Sequence, residues 1–312
     1  MISYYSIDKN TIQEREVSDS NWIHLEQPTS EEVQAVIERF NLPQDIFIAT
    51  DRPDIVARLE KIPDDRAESL YEFVVFSLDP HSALPMEQQL QPLSFIFSEN
   101  LVITCSYHQT TIFQNLLSNY AQKINSIPVF IVYAVLCIYR QYIRELDLMK
   151  GTIDKLDRDA RQTMSADELF LLADTERELV FLDHTLKDQA TAVQTLWQDT
   201  DIIQQVNNPA LIYDVKLAQR HAEKLINIYR DLLTTIGGLF SDMMSHRLNL
   251  LMKFLNSAAL ILSVPTLVSG IWGMNSQVPG EGSQTGFYLV VIFGALLTFL
   301  FALYLKHKDF TK

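Results

Sequence analysis

The sequence predicts an α+β cytoplasmic domain with long helices, followed by a two-helix transmembrane hairpin. Three observations carry this. Charge is segregated: residues 248–312 hold four basic and two acidic side chains, whereas residues 1–247 hold 21 basic and 37 acidic ones, a net of −16 in a chain totalling −14. Two runs of 19 residues, Phe254 to Trp272 and Phe287 to Leu305, contain no charged residue. Alternating strand and helix signals over residues 1–110 give way to long proline-free stretches with helical apolar spacing.

In the first part, residues 1–127, a small α/β domain is expected. Trp22-Ile23-His24-Leu25 reads as a strand. Thr29-Ser30-Glu31-Glu32 then resembles a capping box opening a helix through Phe40, because a threonine side chain and a glutamate three residues on can satisfy each other's backbone N–H groups. Glu72 to Leu78, Leu93 to Phe97 and Leu101 to Thr104 read as further strands bounded by turn residues. Residues 128–208 are expected to form a helical hairpin, with a break near Thr163–Ser165 and another at Asn207-Asn208-Pro209. Within it, the apolar run Val129 to Tyr139 is too short to span a membrane and ends at Arg140, so it reads as a buried helix segment.

Residues 209–275 read as one stalk helix continuing into a first span. From Ala210 to Gly273 it would be about 95 Å long at 1.5 Å per residue, with Gly237-Gly238 as its weak point. Each 19-residue apolar run is close to the ~20 residues a helix needs to cross a bilayer. The connection, residues 276–286, lacks Lys and Arg. Arg247 and Lys253 flank the first span, and Lys306, Lys308 and Lys312 flank the second, residues 287–305. This asymmetry predicts two spans in the plasma (inner) membrane, both termini cytoplasmic, a basic cytoplasmic tail at 306–312 and an external loop.

Composition excludes several function classes. The acidic balance argues against nucleic acid as a partner, which would want a basic face. Cys105 and Cys137 make no disulfide framework or Cys-rich metal site. Neither a P-loop, a Gly-rich nucleotide fingerprint nor a nucleophile elbow occurs, so neither an enzyme nor a nucleotide cofactor is expected. His24, His81, His108, His184, His221, His246 and His307 are dispersed without metal-ligand spacing. The acidic residues Asp154, Asp157, Asp159, Asp167, Glu168, Asp174, Glu176 and Glu178 read either as a solvated helix face or as an attractor for cations.

The first span carries a stripe. Asn249, Met252, Asn256, Ala259, Ser263, Thr266, Gly270 and Gly273 recur every three or four residues and fall on one helical face, with Leu260, Ile261, Leu262, Val264, Leu267, Val268 and Ile271 around the rest. Such a stripe serves either close helix packing or a water-lined pore, which two helices per chain could form only in a ring of chains. It ends at Gly273-Met274-Asn275, after Ile271-Trp272 and before a loop with Pro279.

At this point the sequence resembles the CorA family of magnesium transporters, whose signature is this tripeptide at this place. Ser269 to Asn275 looks like the family's pore mouth with Trp272 for the usual Tyr, and Asn249 to Leu255 resembles the entrance to its pore helix. The resemblance implies a funnel-shaped homopentamer with the first span lining the pore. Asn249 would mark the inner entrance, and Met252 and Leu255 a hydrophobic gate. Ser263, Thr266, Gly270, Gly273, Met274 and Asn275 would form the pore and selectivity region. It also places Asp214 at a regulatory Mg²⁺ site between subunits, with Asp79 as its partner; the bland reading of Asp214 is a carboxylate near a helix N-terminus. Two positions depart from the family: Ser263 replaces a bulky apolar residue, and Val278-Pro279-Gly280-Glu281 displaces the loop glutamate by one residue.

The function implied is channel-like transport of a hydrated divalent cation, most simply Mg²⁺ uptake driven by membrane potential and gated by internal Mg²⁺. Mg²⁺ would thus be both cargo and regulator. Mg²⁺ dehydrates reluctantly, and a stripe of amides, hydroxyls and carbonyls without carboxylates suits contact with its waters. The alternatives are Zn²⁺, Co²⁺ or Ni²⁺ transport by the same fold, or a non-conducting membrane-anchored scaffold.

Overall fold

Seven strands among the described residues assemble one sheet, and the residues that alternate along them explain how it is covered. The computed structural model describes residues 1–8, 11–44, 46–47, 56–62, 69–78, 85–161, 165–199, 201–274 and 283–307. They fall into two units, Met1–Ile236 and Gly237–Lys312. In the first unit lie β1 (Ile2–Asp8), β2 (Thr11–Glu14), β3 (Trp22–Glu26), α1 (Ser30–Phe40), β4 (Arg58–Ile62), β5 (Leu70–Leu78), α2 (Met86–Gln89), β6 (Leu90–Phe97), β7 (Val102–Ser106), α3 (Ile112–Tyr120), α4 (Ile127–Ala160), α5 (Ala166–Asp199) and α6 (Asp201–Gln204). A single helix, α7 (Pro209–Trp272), belongs to both units, and α8 (Gln284–His307) completes the second.

The sheet order is β2-β1-β3-β7-β6-β5-β4. β3 and β7 pair in parallel, and every other pair is antiparallel. The four strands expected from the sequence are β3, β5, β6 and β7, whose nearly continuous burial marks them as covered on both faces. β1, β2 and β4 were not foreseen.

One face carries Ile23, Leu25, Ile96, Ile103 and Cys105 against Val36 and Ile37 of α1. The opposite face carries Trp22, His24, Phe73, Phe95 and Thr104, covered by Phe113 of α3 and Phe130 of α4. Trp22 lies 4.7 Å from Phe130, centroid to centroid. Burying each such aromatic side chain contributes about 1.5–3 kcal/mol.

The helix expected after Thr29 is α1, with the capping box present. Thr29 N–H donates to Glu32 at 2.9 Å, Glu32 N–H donates to Thr29 Oγ1 at 3.3 Å, and Asn41 closes the helix in the left-handed region at φ 48°.

β5 outruns its neighbour. β4 pairs only as far as Val74, so the backbone of Phe76 and Leu78 has no strand beside it on that side among the described residues. Side chains from the long helices take its place. Gln189 of α5 accepts from Phe76 N–H at 2.5 Å, Gln141 of α4 bonds both the N–H and the C=O of Leu78, and the Tyr142 hydroxyl donates to Phe76 C=O at 3.1 Å. An otherwise open sheet edge is thereby closed, and α4 and α5 are fixed in register against it.

α4 ends at Ala160 and α5 begins at Ala166, with Thr163 and Met164 of the first expected break outside the described residues, and the second break lies at Asn208-Pro209. Ser165 and Glu168 cap α5 reciprocally at 2.7 and 3.4 Å. Asn208 caps α7 by accepting from Leu211 N–H at 3.1 Å, ahead of Pro209 as the first helical residue. α7 then runs 64 residues, through Gly237 and Gly238, as one helix.

Among the described residues, three helices are long and apolar enough to cross a membrane. The apolar window of α4 is 83% buried inside the structure, whereas those of α7 and α8 are 6% and 11% buried. Protein therefore covers the apolar surface of α4, as the sequence suggests for Val129 to Tyr139. The apolar surfaces of α7 and α8 are left for another covering.

Candidate permeation and regulatory sites

In the second unit, α7 and α8 pack as a hairpin through small residues. Gly286, Gly294 and Leu305 are the buried positions of α8. At Gly294 an added Cβ would stand 3.6 Å from Val268 Cγ1, an ordinary contact distance, so the helices meet here at close range. On α7, Ser257 is buried and Ala258, Ile261, Val264, Pro265, Val268 and Trp272 are partly buried. At 100° per residue these seven positions share one face.

The sequence stripe lies on the far side. Asn249, Met252, Asn256, Ala259, Ser263, Thr266, Gly270 and Gly273 are all exposed, as is Leu255 of the expected gate, Met252 by 57% and Leu255 by 60%. The packing face and the polar stripe are therefore different faces of one helix, and packing within the hairpin does not explain the stripe. The apolar residues around it divide into two sets. Ile261, Val264 and Val268 turn toward α8, while Leu260, Leu262, Leu267 and Ile271 stay exposed.

The stripe's hydroxyls are oriented by their own helix. Ser263 Oγ donates to Leu260 C=O at 2.7 Å, and Thr266 Oγ1 donates to Leu262 C=O at 2.8 Å. Each hydroxyl's single proton is committed to the backbone, so each oxygen can only accept on its outward side. A shallow groove runs here between Leu262, Ser263, Thr266, Gly270 and Met274. No atom lies within 4 Å of a Cβ added at Gly270. At Gly273 the added Cβ would come within 3.2 Å of Ser269 C=O, tight against the end of the helix, where Gly273 N–H bonds that same carbonyl at 2.9 Å. Asn275, the loop with Pro279 and Glu281, and Lys308 and Lys312 lie outside the described residues.

Asp214 is exposed on α7, in the second turn. The dipole effect fades beyond the first turn, and the capping role belongs to Asn208, so Asp214 stands as an exposed helix carboxylate without a part in the helix start. With Leu136, Arg140, Ile143, Leu217 and His221 it lines a groove between α4 and α7. Burial, with the nearby Asp214 charge adding to it, raises the Tyr133 hydroxyl above its ordinary pKa. Among the described residues no group of three or more His, Cys, Asp and Glu could hold a metal ion. Asp79 and His81 lie outside them.

The acidic run is not one uniform face. Glu168 is the capping partner of α5, and Asp157 pairs with Arg161 at 3.0 Å. Glu178 is half-buried; burial, with Glu145 and Asp174 nearby, raises its pKa, and burial also raises that of Glu145. His24 is structural: burial holds its pKa down at about 4, so it is neutral at physiological pH.

A sheet domain continued by a 64-residue helix, with two exposed apolar helices long enough to cross a membrane, is the make-up of an integral membrane protein. The family model described as CorA-like Mg²⁺ transporter protein matches residues 18–307. The chain belongs to this family and is a CorA-family divalent cation transporter. It is similar to a magnesium transport protein CorA of Helicobacter pylori, 21% identical over 95% of this chain and 92% of the relative. Among solved structures, the complete CorA magnesium transporter from Methanocaldococcus jannaschii superposes with a TM-score of 0.82 at 18% identity, covering 99% of this chain and 98% of that one. Full-length CmaX gives 0.73 at 15% identity, covering 98% and 97%. The ZntB cytoplasmic domain from Vibrio parahaemolyticus gives 0.63 at 8% identity, covering 78% of this chain and 98% of that one. These structures share the fold.

Proposed function

We propose that the chain assembles as a homopentamer that conducts hydrated Mg²⁺ through a pore lined by the α7 stripe. The observation that carries this is the division of α7: one face packs on α8, while the opposite face presents amides, hydroxyls and glycines that a single chain leaves uncovered. Around a five-fold axis those faces would converge. Residues 254–272 and 287–305 would be two spans of the plasma membrane, with both termini cytoplasmic. The stripe has no carboxylate, so it would act on the ion's water shell rather than replace it.

In this reading Asn275 rings the outer mouth, and Gly273, Met274, Gly270, Thr266 and Ser263 line the path inward. Met252 and Leu255 form the constriction, which closes by excluding water, and Asn249 marks the inner entrance. Two charges moving through 100 mV gain about 4.6 kcal/mol, enough to drive uptake without a nucleotide. Asp214, with Asp79 of a neighbouring subunit, would bind internal Mg²⁺ and bias the stalk toward the closed state, a population shift that requires tighter binding to that state.

Flux into vesicles containing purified protein, at matched gradients of Mg²⁺, Zn²⁺, Co²⁺ and Ni²⁺, tests the ion. Mg²⁺ is expected to pass fastest. Faster Zn²⁺ than Mg²⁺ flux would favour the reading that similarity to the ZntB domain supports. No flux of any of the four from protein that native mass spectrometry shows to be pentameric would leave the membrane-anchored scaffold.

A further inference from the structure

The first unit is strongly acidic, yet one cleft on it is lined without a single carboxylate. It lies between α5 and α7, has a volume of about 530 Å³, and is walled by Thr191, Gln194, Trp197 and Gln198 on one side and by Lys216, Gln219 and Arg220 on the other. That size falls in the usual range for small-molecule sites. Lys216 and Arg220 are four residues apart on α7 and so share a face. Neither has an ion pair among the described residues. With 37 acidic side chains in residues 1–247, two adjacent cations without a carboxylate partner are unexpected. The neighbouring Glu223 accepts from Gln219 Nε2 at 2.9 Å. The Trp197 ring is partly exposed.

We propose that this cleft binds a nucleotide. Lys216 and Arg220 meet the phosphates with charge-assisted hydrogen bonds. The Trp197 indole stacks on the base, as aromatic side chains do on any base. The amides of Gln194 and Gln198, which offer both donors and acceptors, bond the base edge. Inorganic phosphate would use only one wall and leave the aromatic side unfilled. A polynucleotide would be repelled by the surrounding net charge of −16, so the ligand is a small anion with a planar ring. The site stands independently of the conduction reading, because it requires only the α5–α7 pair.

The test is titration calorimetry on the full-length protein in detergent, without Mg²⁺, using ATP, inorganic triphosphate and adenosine as probes. ATP is expected to bind once per chain, more tightly than either fragment. The double variant Lys216→Gln/Arg220→Gln should weaken both ATP and triphosphate by about tenfold or more. Trp197→Leu should weaken ATP by at least about fivefold and leave triphosphate unchanged, while Trp197→Phe restores ATP binding. Circular dichroism checks that each variant folds, and the Trp197→Phe rescue separates stacking from misfolding. Absence of saturable ATP binding at about 1 mM would overturn the proposal. So would ATP binding that the double variant leaves untouched. Triphosphate binding as tight as ATP and indifferent to Trp197→Leu would reduce the cleft to a simple anion site and overturn the nucleotide assignment.

Discussion

Replacing His24 by Gln tests whether the aromatic face of the sheet is as dry as its packing implies. His24 is 8% exposed, lies 4.5 Å from Phe113 with the rings tilted 59° to each other, and has Nδ1 at 2.9 Å from Thr104 Oγ1. Burial lowers its pKa from 6.5 to about 4. The direction follows from proton uptake. Between pH 6.5 and 4 the unfolded chain binds a proton at His24 that the folded chain does not, so stability falls as pH falls through this window. The cost, about 1.4 kcal/mol for each pH unit, approaches 3 kcal/mol at the acid end. Glu145 and Glu178 work in the opposite sense, since their raised pKa values let the folded state take up protons first. The difference between wild type and His24→Gln therefore isolates the imidazole. The assay is hydrogen exchange of β3 and β7 amides in the detergent-solubilised protein from pH 7 to 4.5, corrected for intrinsic exchange. His24→Gln should lose about 1 kcal/mol at pH 7 from imperfect packing but show a flatter acid slope. Parallel profiles for the two proteins would refute a buried neutral histidine.

Other outcomes follow from the pore and the hairpin. Asn275→Ala should assemble normally but lose most Mg²⁺ flux in vesicles; wild-type flux would remove Asn275 from the mouth. Asp214→Ala should need more internal Mg²⁺ to shut, seen as a rightward shift in flux against an internal Mg²⁺ titration; superimposable curves would return it to a plain surface carboxylate. Gly294→Ala should be tolerated because its methyl would meet Val268 at an ordinary 3.6 Å. Gly294→Leu should cost about 1–3 kcal/mol by overpacking, read as a lower melting temperature in detergent, and equal melting of the two variants would contradict the close approach.

Much of this architecture was legible because its signals are local. The Thr29–Glu32 box, the Asn208-Pro209 start and the unbroken spacing of α7 each depend on residues within one or two turns. The strands β1, β2 and β4 escaped for a physical reason. β1 is mostly half-buried, β2 and β4 lie at the two edges of the sheet, and β4 alternates Arg58, Glu60 and Lys61 among its few apolar residues, so none shows the run that marks β5. The bonds from Gln141 and Gln189 to β5 join residues 63 and 113 positions apart, and no local pattern announces them. In the hairpin, the stripe was readable from its period. Which apolar residues of α7 meet α8 was not, because Ile261 and Leu262 are alike in sequence and differ only in what stands opposite them.

The inward-bonded hydroxyls of Ser263 and Thr266 give the proposed pore a way to tell the sign of an ion without holding any charge. Waters around a cation turn their oxygens to it and point hydrogens outward, where a ring of acceptor oxygens can hold them. Waters around an anion give it one hydrogen and turn outward an oxygen and a single remaining hydrogen, so a ring whose protons are already given to the backbone can take that hydrogen but offers nothing to the oxygen. Polarity would thus be weighed by the orientation of borrowed water, and a hydrated chloride would be held less well at the same level where a hydrated divalent cation offers two hydrogens per water.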